Sequence, residues 1–172
     1  GFNGSGVAKN NRLRERDDAI HGAYWRTYDF DAVQQNLVER DLLLPDRRNL
    51  FAFPLGPGAQ GNNFQHAGGE VIWNLPNGLQ SYMLVNANGL RVDKAPTAIV
   101  SDPKRPDRAV ENGISCMGCH YRGINQKDDQ IREFTLKNPK AFNRADFELI
   151  QSLYAPHDKM RKLMDEDAER FR

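Results

Sequence analysis

The fold depends first on the stretch Glu70–Val92, EVIWNLPNGLQSYMLVNANGLRV, in which β-prone runs alternate with turn signals. The runs are Val71–Trp73, Leu79–Val85 and Leu90–Val92, and they are separated by Pro76–Gly78 and Asn86–Gly89. Short connections rich in Asn, Gly and Pro are typical of turns between antiparallel strands. The stretch therefore predicts a small antiparallel sheet of three strands.

The segments around this sheet favour helices, because their apolar residues recur at helical spacing. We expect helices over residues 31–43, 107–113, 131–138, 147–155 and 160–171. The aromatic-rich segment Gly22–Phe30 predicts a strand or another ordered segment, and the glycine- and proline-rich segment Asn49–Gly69 predicts a long loop. Residues 1–17 are polar and predict an irregular arm. The expected fold class is α+β, a mainly helical domain with a three-stranded antiparallel sheet.

Length and charge limit the classes of function. The 172 residues predict one domain over 1–172, and the 24 basic and 23 acidic side chains nearly cancel, which argues against a nucleic-acid partner. The longest apolar runs span only a few residues, whereas a membrane helix needs about 18. We therefore expect a globular domain without a membrane span.

The motif that carries chemistry is Cys116-Met117-Gly118-Cys119-His120, which contains both cysteines of the chain. Two intervening residues place both sulfurs on one side of a single turn, where they can form thioethers with the two vinyl groups of a haem. The histidine that follows can then ligate the iron. This spacing is the signature of c-type haem attachment, so we expect one haem c, bound through Cys116 and Cys119, with His120 as the proximal iron ligand.

Three other interpretations of the cysteines stay open. A redox dithiol of the thioredoxin kind would explain the pair but does not require the histidine. A structural zinc site needs four ligands and would have to recruit the distant His66 or His157. A disulfide across so short a loop would be strained.

The sixth position of the iron has two candidate ligands. His66 lies in the glycine-rich loop, where a flexible backbone can approach a cofactor, and Met83 lies in the middle of a predicted strand. His157, Met160 and Met164 share one face of the last helix, where core packing is the simpler role.

Two haem propionates would need cationic partners. The arginines closest to the motif in sequence are Arg105, Arg108 and Arg122. A solvated surface charge is the alternative role for each of them.

Two segments carry a resemblance to a known group of proteins. FQHAGGEVIWNLPNGLQSYMLVNAN, at Phe64–Asn88, and TAIVSDPKRPDRAVENGISCMGCHYRGI, at Thr97–Ile124, resemble exported bacterial cytochrome-like proteins that we associate with planctomycetes. The resemblance extends from Gly1 to Arg172. It implies a haem and an exported location, and it implies that the chain is the C-terminal part of a longer protein. Small mitochondrial-type cytochromes c differ, because their attachment motif lies near the start of the chain.

These observations predict a monohaem c-type cytochrome that transfers single electrons to and from redox partner proteins. We expect an electron-transfer protein rather than an enzyme, located in the periplasm or outside the cell. The alternative is a haem enzyme or sensor, peroxidase-like or gas-binding, with an open or weakly ligated sixth position. Low-spin iron would favour the carrier, and high-spin iron that binds cyanide or carbon monoxide would favour the alternative.

Overall fold

A five-stranded antiparallel sheet organises the protein. The computed structural model describes residues 11–31 and 46–172. In the order β1-β2-β3-β4-β5, the strands of this sheet are Arg12–Ala19, Gly22–Asp29, Gly68–Asn74, Gln80–Asn86 and Arg91–Val92. A second sheet pairs β6, Lys94–Ala95, with β7, Val110–Glu111. The three strands predicted from Glu70–Val92 are present as β3, β4 and β5, and Gly22–Phe30 forms β2 as expected.

The predicted fold class was wrong, because the described chain is dominated by this five-stranded sheet and is not a mainly helical domain with three strands. The strand that the sequence did not predict is β1, which pairs along its whole length with β2. Its charged sequence RLRERDDA predicted part of an irregular arm, and for Arg12–Asp17 that prediction was wrong. Charged residues are common on an edge strand, which has one side free of a partner strand.

Four α-helices follow β7: α1 is Ile114–Cys119, α2 is Ile131–Lys137, α3 is Arg144–Leu153 and α4 is His157–Phe171. A 3₁₀ turn, Pro139–Ala141, links α2 to α3. The three predicted C-terminal helices are thus confirmed. Within residues 11–31 and 46–172, no helix is long and apolar enough to cross a bilayer.

Two other segments do not form the predicted helices. The helix expected over residues 107–113 is absent, because Val110–Glu111 pairs as a strand and the Asp107 carboxylate accepts a hydrogen bond from the backbone N–H of Ala109 in a turn. Most of the helix expected over residues 31–43 lies outside the described residues, as do residues 1–10 of the arm.

Both faces of the sheet are covered. One face packs on the long loop and on α2 and α3, through a buried cluster made of Tyr28, Phe30, Leu50, Phe64, Ile131 and Ile150. The other face, called here the α4 face, packs on α4 through Ala23, Trp25, Ile72, Ile124 and Met164. Strand β3 is consequently buried on both sides, so any charged side chain in it requires a buried partner.

Helix α4 is fastened to the sheet by Asp167, whose side chain is 1% exposed. Its carboxylate accepts hydrogen bonds from Arg16 Nε at 2.8 Å and from Trp25 Nε1 at 2.9 Å. Arg16 belongs to the edge strand and Trp25 to its neighbour. One carboxylate therefore ties the last helix to the first two strands.

We predict that Asp167→Ala lowers the free energy of unfolding by about 3–5 kcal/mol, because it leaves a buried guanidinium and an indole N–H without their acceptor. Urea denaturation followed by tryptophan fluorescence measures this change. Glu169→Ala, on an exposed position of the same helix, should change stability by less than about 0.5 kcal/mol. Equal losses in the two variants would contradict the role given to Asp167.

Candidate functional site

Helix α1 carries the cysteines, and polar contacts hold it against the sheet. The Asn112 side-chain oxygen accepts a hydrogen bond from the backbone N–H of Leu84 in β4 at 3.0 Å. The Ser115 hydroxyl donates to Asp102 at 2.6 Å and accepts from the backbone N–H of Glu111 at 3.1 Å. The position of this short helix is therefore set by tertiary contacts, because six residues cannot sustain a helix alone.

The motif residues lie on one turn and face one cavity. The backbone N–H of His120 donates to the carbonyl of Cys116 at 2.8 Å, which closes the turn. Cys116 is 2% exposed and His120 is 8% exposed, and neither thiol is in a disulfide. Cys116, Cys119 and His120 all line the same cavity. The structure thus brings together the three residues that the motif predicted.

The imidazole of His120 is oriented by the turn that follows it. Its Nδ1 lies 3.2 Å from the carbonyl oxygen of Gly123, which fits the tautomer in which Nδ1 carries the proton. Gly123 has a φ of 84°, a conformation that favours glycine. In proteins a metal-ligating histidine commonly donates its other ring N–H to a carbonyl in this way. Nε2 is directed the other way, toward Glu70 in the cavity wall.

Nε2 faces a buried carboxylate that the motif did not predict. The Glu70 side chain is 7% exposed, and its Oε2 lies 3.4 Å from His120 Nε2. Arg12 Nη1 is 3.9 Å from the same oxygen. Burial alone would raise the pKa of Glu70. The charges of His120 and Arg12, together with hydrogen bonds from His120 and Cys116, outweigh the effect of burial and lower the pKa to about 2. Glu70 is therefore ionised at neutral pH.

Both thiols are held in their protonated form. Burial, and then the Glu70 carboxylate, raise the pKa of the Cys116 thiol. Burial and the carboxylates of Asp102 and Glu70 likewise raise the pKa of Cys119. A redox dithiol depends on a lowered thiol pKa, because the thiolate is the nucleophile. This environment argues against the thioredoxin-like interpretation.

The cavity combines apolar walls with two cationic side chains. Its volume is about 180 Å³, and Arg12 and Lys94 lie among its lining residues. The apolar part is formed by Leu84, Val92, Pro96, Ile99, Val100 and Val110. Sites for small molecules and cofactors usually measure about 300–1,000 Å³. The donors Cys116, Cys119 and His120 fit a covalently attached haem. Because the cavity is smaller than a usual cofactor site, it would have to widen when a haem binds.

The two candidates for the sixth iron position are placed elsewhere. The His66 ring packs edge-on against Tyr28, with centroids 5.0 Å apart, on the face of the sheet opposite α4. Met83 alternates with Tyr82 and Leu84 along β4, so its side chain points away from the face that holds Glu70. Neither residue lines the cavity. Met164 is buried in the core, as its helical spacing predicted.

The three arginines predicted for the propionates also lie outside the cavity lining. Arg105 pairs with Glu111, Arg108 contacts the Ser101 hydroxyl at 3.4 Å, and Arg122 stacks on the ring of Tyr121. Arg12 and Lys94, which line the cavity instead, are far from the motif in sequence. The motif did not predict Glu70. Its one signal in the sequence was a charged residue placed directly before the apolar run Val71–Trp73.

The zinc interpretation gains no support from the described residues. No group of three or more His, Cys, Asp or Glu side chains within residues 11–31 and 46–172 is arranged to hold a metal ion. His157, one of the two proposed fourth ligands, is bonded at the surface to Asp128 at 2.8 Å and to Asp158 at 3.0 Å.

Comparisons of the chain with protein-family models, with curated proteins and with solved structures gave no match. The function is therefore inferred from the site itself.

We predict that the apo-protein reacts slowly with iodoacetamide at pH 7, because each unit of increase in a thiol pKa lowers the thiolate fraction roughly tenfold. Alkylation of Cys116 and Cys119, followed by mass spectrometry, should be at least about tenfold slower in the folded chain than in denaturant. Equal rates in the two conditions would show that the folded site does not protect the thiols.

Proposed function

We propose that this chain is a monohaem c-type cytochrome that exchanges single electrons with redox partner proteins. The observation that carries the proposal is the convergence of Cys116, Cys119 and His120 on one cavity, with His120 Nε2 directed into it. The raised pKa of each thiol also argues against thiol redox chemistry, which depends on a thiolate.

Each motif residue has a separate role in this proposal. Cys116 and Cys119 would hold the haem, each thiol adding across one vinyl group: sulfur would bond to one carbon and the thiol proton would go to the other, so no oxidant would be needed. His120 supplies the proximal nitrogen, and the Gly123 carbonyl holds the ring in place. The apolar wall around Ile99 excludes water and thereby influences the redox potential.

When bound, the haem iron supplies one-electron chemistry by alternating between the ferrous and ferric states. Covalent haem attachment normally takes place on the exported side of the bacterial membrane. The proposal therefore includes a periplasmic or extracellular location, as the family resemblance implies.

A haem enzyme or sensor is the second candidate, and one observation favours it. Among the residues that line the cavity, none is a methionine and His120 is the one histidine, so the strong-field ligands typical of carriers are missing from the described wall. The charged pair of Glu70 and Arg12 lies there instead. Rapid binding of cyanide or carbon monoxide would favour this candidate over a carrier.

We predict that the chain, produced together with a bacterial cytochrome c maturation system, acquires a haem that survives acid–acetone extraction. The pyridine haemochrome spectrum measures both the amount of haem and the number of thioether bonds. Cys119→Ala should lose one thioether and at least part of the bound haem. Met117→Ala is the matched control, because Met117 lies within the motif but is exposed and has no role in attachment.

Absence of covalent haem in the unmodified chain would contradict the proposal, provided that a known cytochrome c matures in the same cells. Equal loss of haem in Met117→Ala and Cys119→Ala would also contradict the roles assigned within the motif.

A further inference from the structure

We infer that Glu70 is the sixth ligand of the haem iron, on the side opposite His120. This inference rests on the proposed function and names the group that completes the coordination of the iron. It replaces His66 and Met83, which the sequence suggested for that position and which the structure places away from the cavity.

The spacing between Glu70 and His120 fits two bonds to one metal ion. An imidazole nitrogen binds a first-row metal such as zinc at about 2.0–2.1 Å and a carboxylate oxygen at about 2.0–2.2 Å. Two such bonds in line place their donor atoms about 4.0–4.3 Å apart. The observed distance from Nε2 to Oε2 is 3.4 Å, so the two donors already face each other with less than about 1 Å to open.

Two other charged side chains of the wall, Asp29 and Lys94, have partners of their own. Asp29 receives two hydrogen bonds from Arg12, at 2.5 and 2.6 Å. Lys94 pairs with Asp107 at 2.8 Å, and both of these side chains are about half exposed. Of the anionic groups that line the cavity, Glu70 is the one that faces His120.

The backbone of β3 holds Glu70 in this position. The backbone pairing of β2 with β3 has a gap between the pairs Arg26↔Val71 and Asp29↔Gly68. In this gap the Thr27 hydroxyl accepts a hydrogen bond from the backbone N–H of Glu70 at 2.7 Å. A Cβ added at Gly69 would overlap the carbonyl oxygen of Thr27, so the strands approach closely there.

A carboxylate ligand has consequences that differ from those of methionine or histidine. It is an anionic, weak-field oxygen donor, so it favours ferric over ferrous iron and favours the high-spin state. Exogenous ligands can replace such a donor more readily than a second imidazole. The inference therefore predicts a haem of low reduction potential whose sixth position exchanges. It shares the covalent haem of the proposed function, and an exchangeable position is the property expected of the second candidate, a haem enzyme or sensor.

The test uses the full chain matured with its haem. Near-infrared magnetic circular dichroism and electron paramagnetic resonance of the ferric protein identify the axial ligands and the spin state. We expect the unmodified protein to be high-spin, with a charge-transfer band of a histidine–carboxylate pair. Glu70→Gln should shift that band, and Glu70→His should convert the iron to a low-spin state with two nitrogen ligands. Glu15→Gln, which changes a carboxylate of β1 that is hydrogen-bonded to Tyr28, should leave the spectra unchanged.

A histidine–methionine or bis-histidine spectrum of the unmodified protein would overturn the inference even if no Glu70 variant matures. Spectra that are the same in the unmodified protein and in Glu70→Gln would overturn it as well. Both results would leave covalent attachment intact, whereas a chain without any covalent haem would overturn the proposed function itself.

Discussion

A carboxylate buried in a strand that is covered on both faces is the constraint on which the site depends. Glu70 is the one charged residue of β3, and it contacts Arg12 on one side and His120 on the other. Removing either partner would leave the buried carboxylate with only part of its compensation, which is costly in a low-dielectric site. The sheet, the edge strand and the turn after α1 are thus linked through one side chain.

This linkage explains why the edge strand is so rich in charge. Arg12 pairs with Asp29 and approaches Glu70, and Arg16 pairs with Asp167 of the last helix. Alternate residues of a strand share a face, so these two arginines both serve the α4 face of the sheet. A sequence that looks like a solvated arm thus carries two arginines, Arg12 and Arg16, whose side chains are largely covered and paired with carboxylates.

The sequence predicted the elements whose signals are local and missed those that depend on partners. Turn residues located the hairpin β3–β4, helical periodicity located α2, α3 and α4, and the spacing of Cys116 and Cys119 located the site. Strand β1 has no apolar alternation, since its pairing with β2 and its long-range ion pairs stabilise it. Glu70 was missed for the same reason, because its role depends on a histidine 50 positions later that only the fold brings near.

We propose that the chain holds one haem between α1 and β3. The most direct test is the intact mass of the denatured protein after maturation, followed by mapping of the modified peptide. We predict a mass increase of one haem, located on the peptide that contains both Cys116 and Cys119. An unmodified mass, obtained in cells that attach haem to a known cytochrome c, would contradict this account.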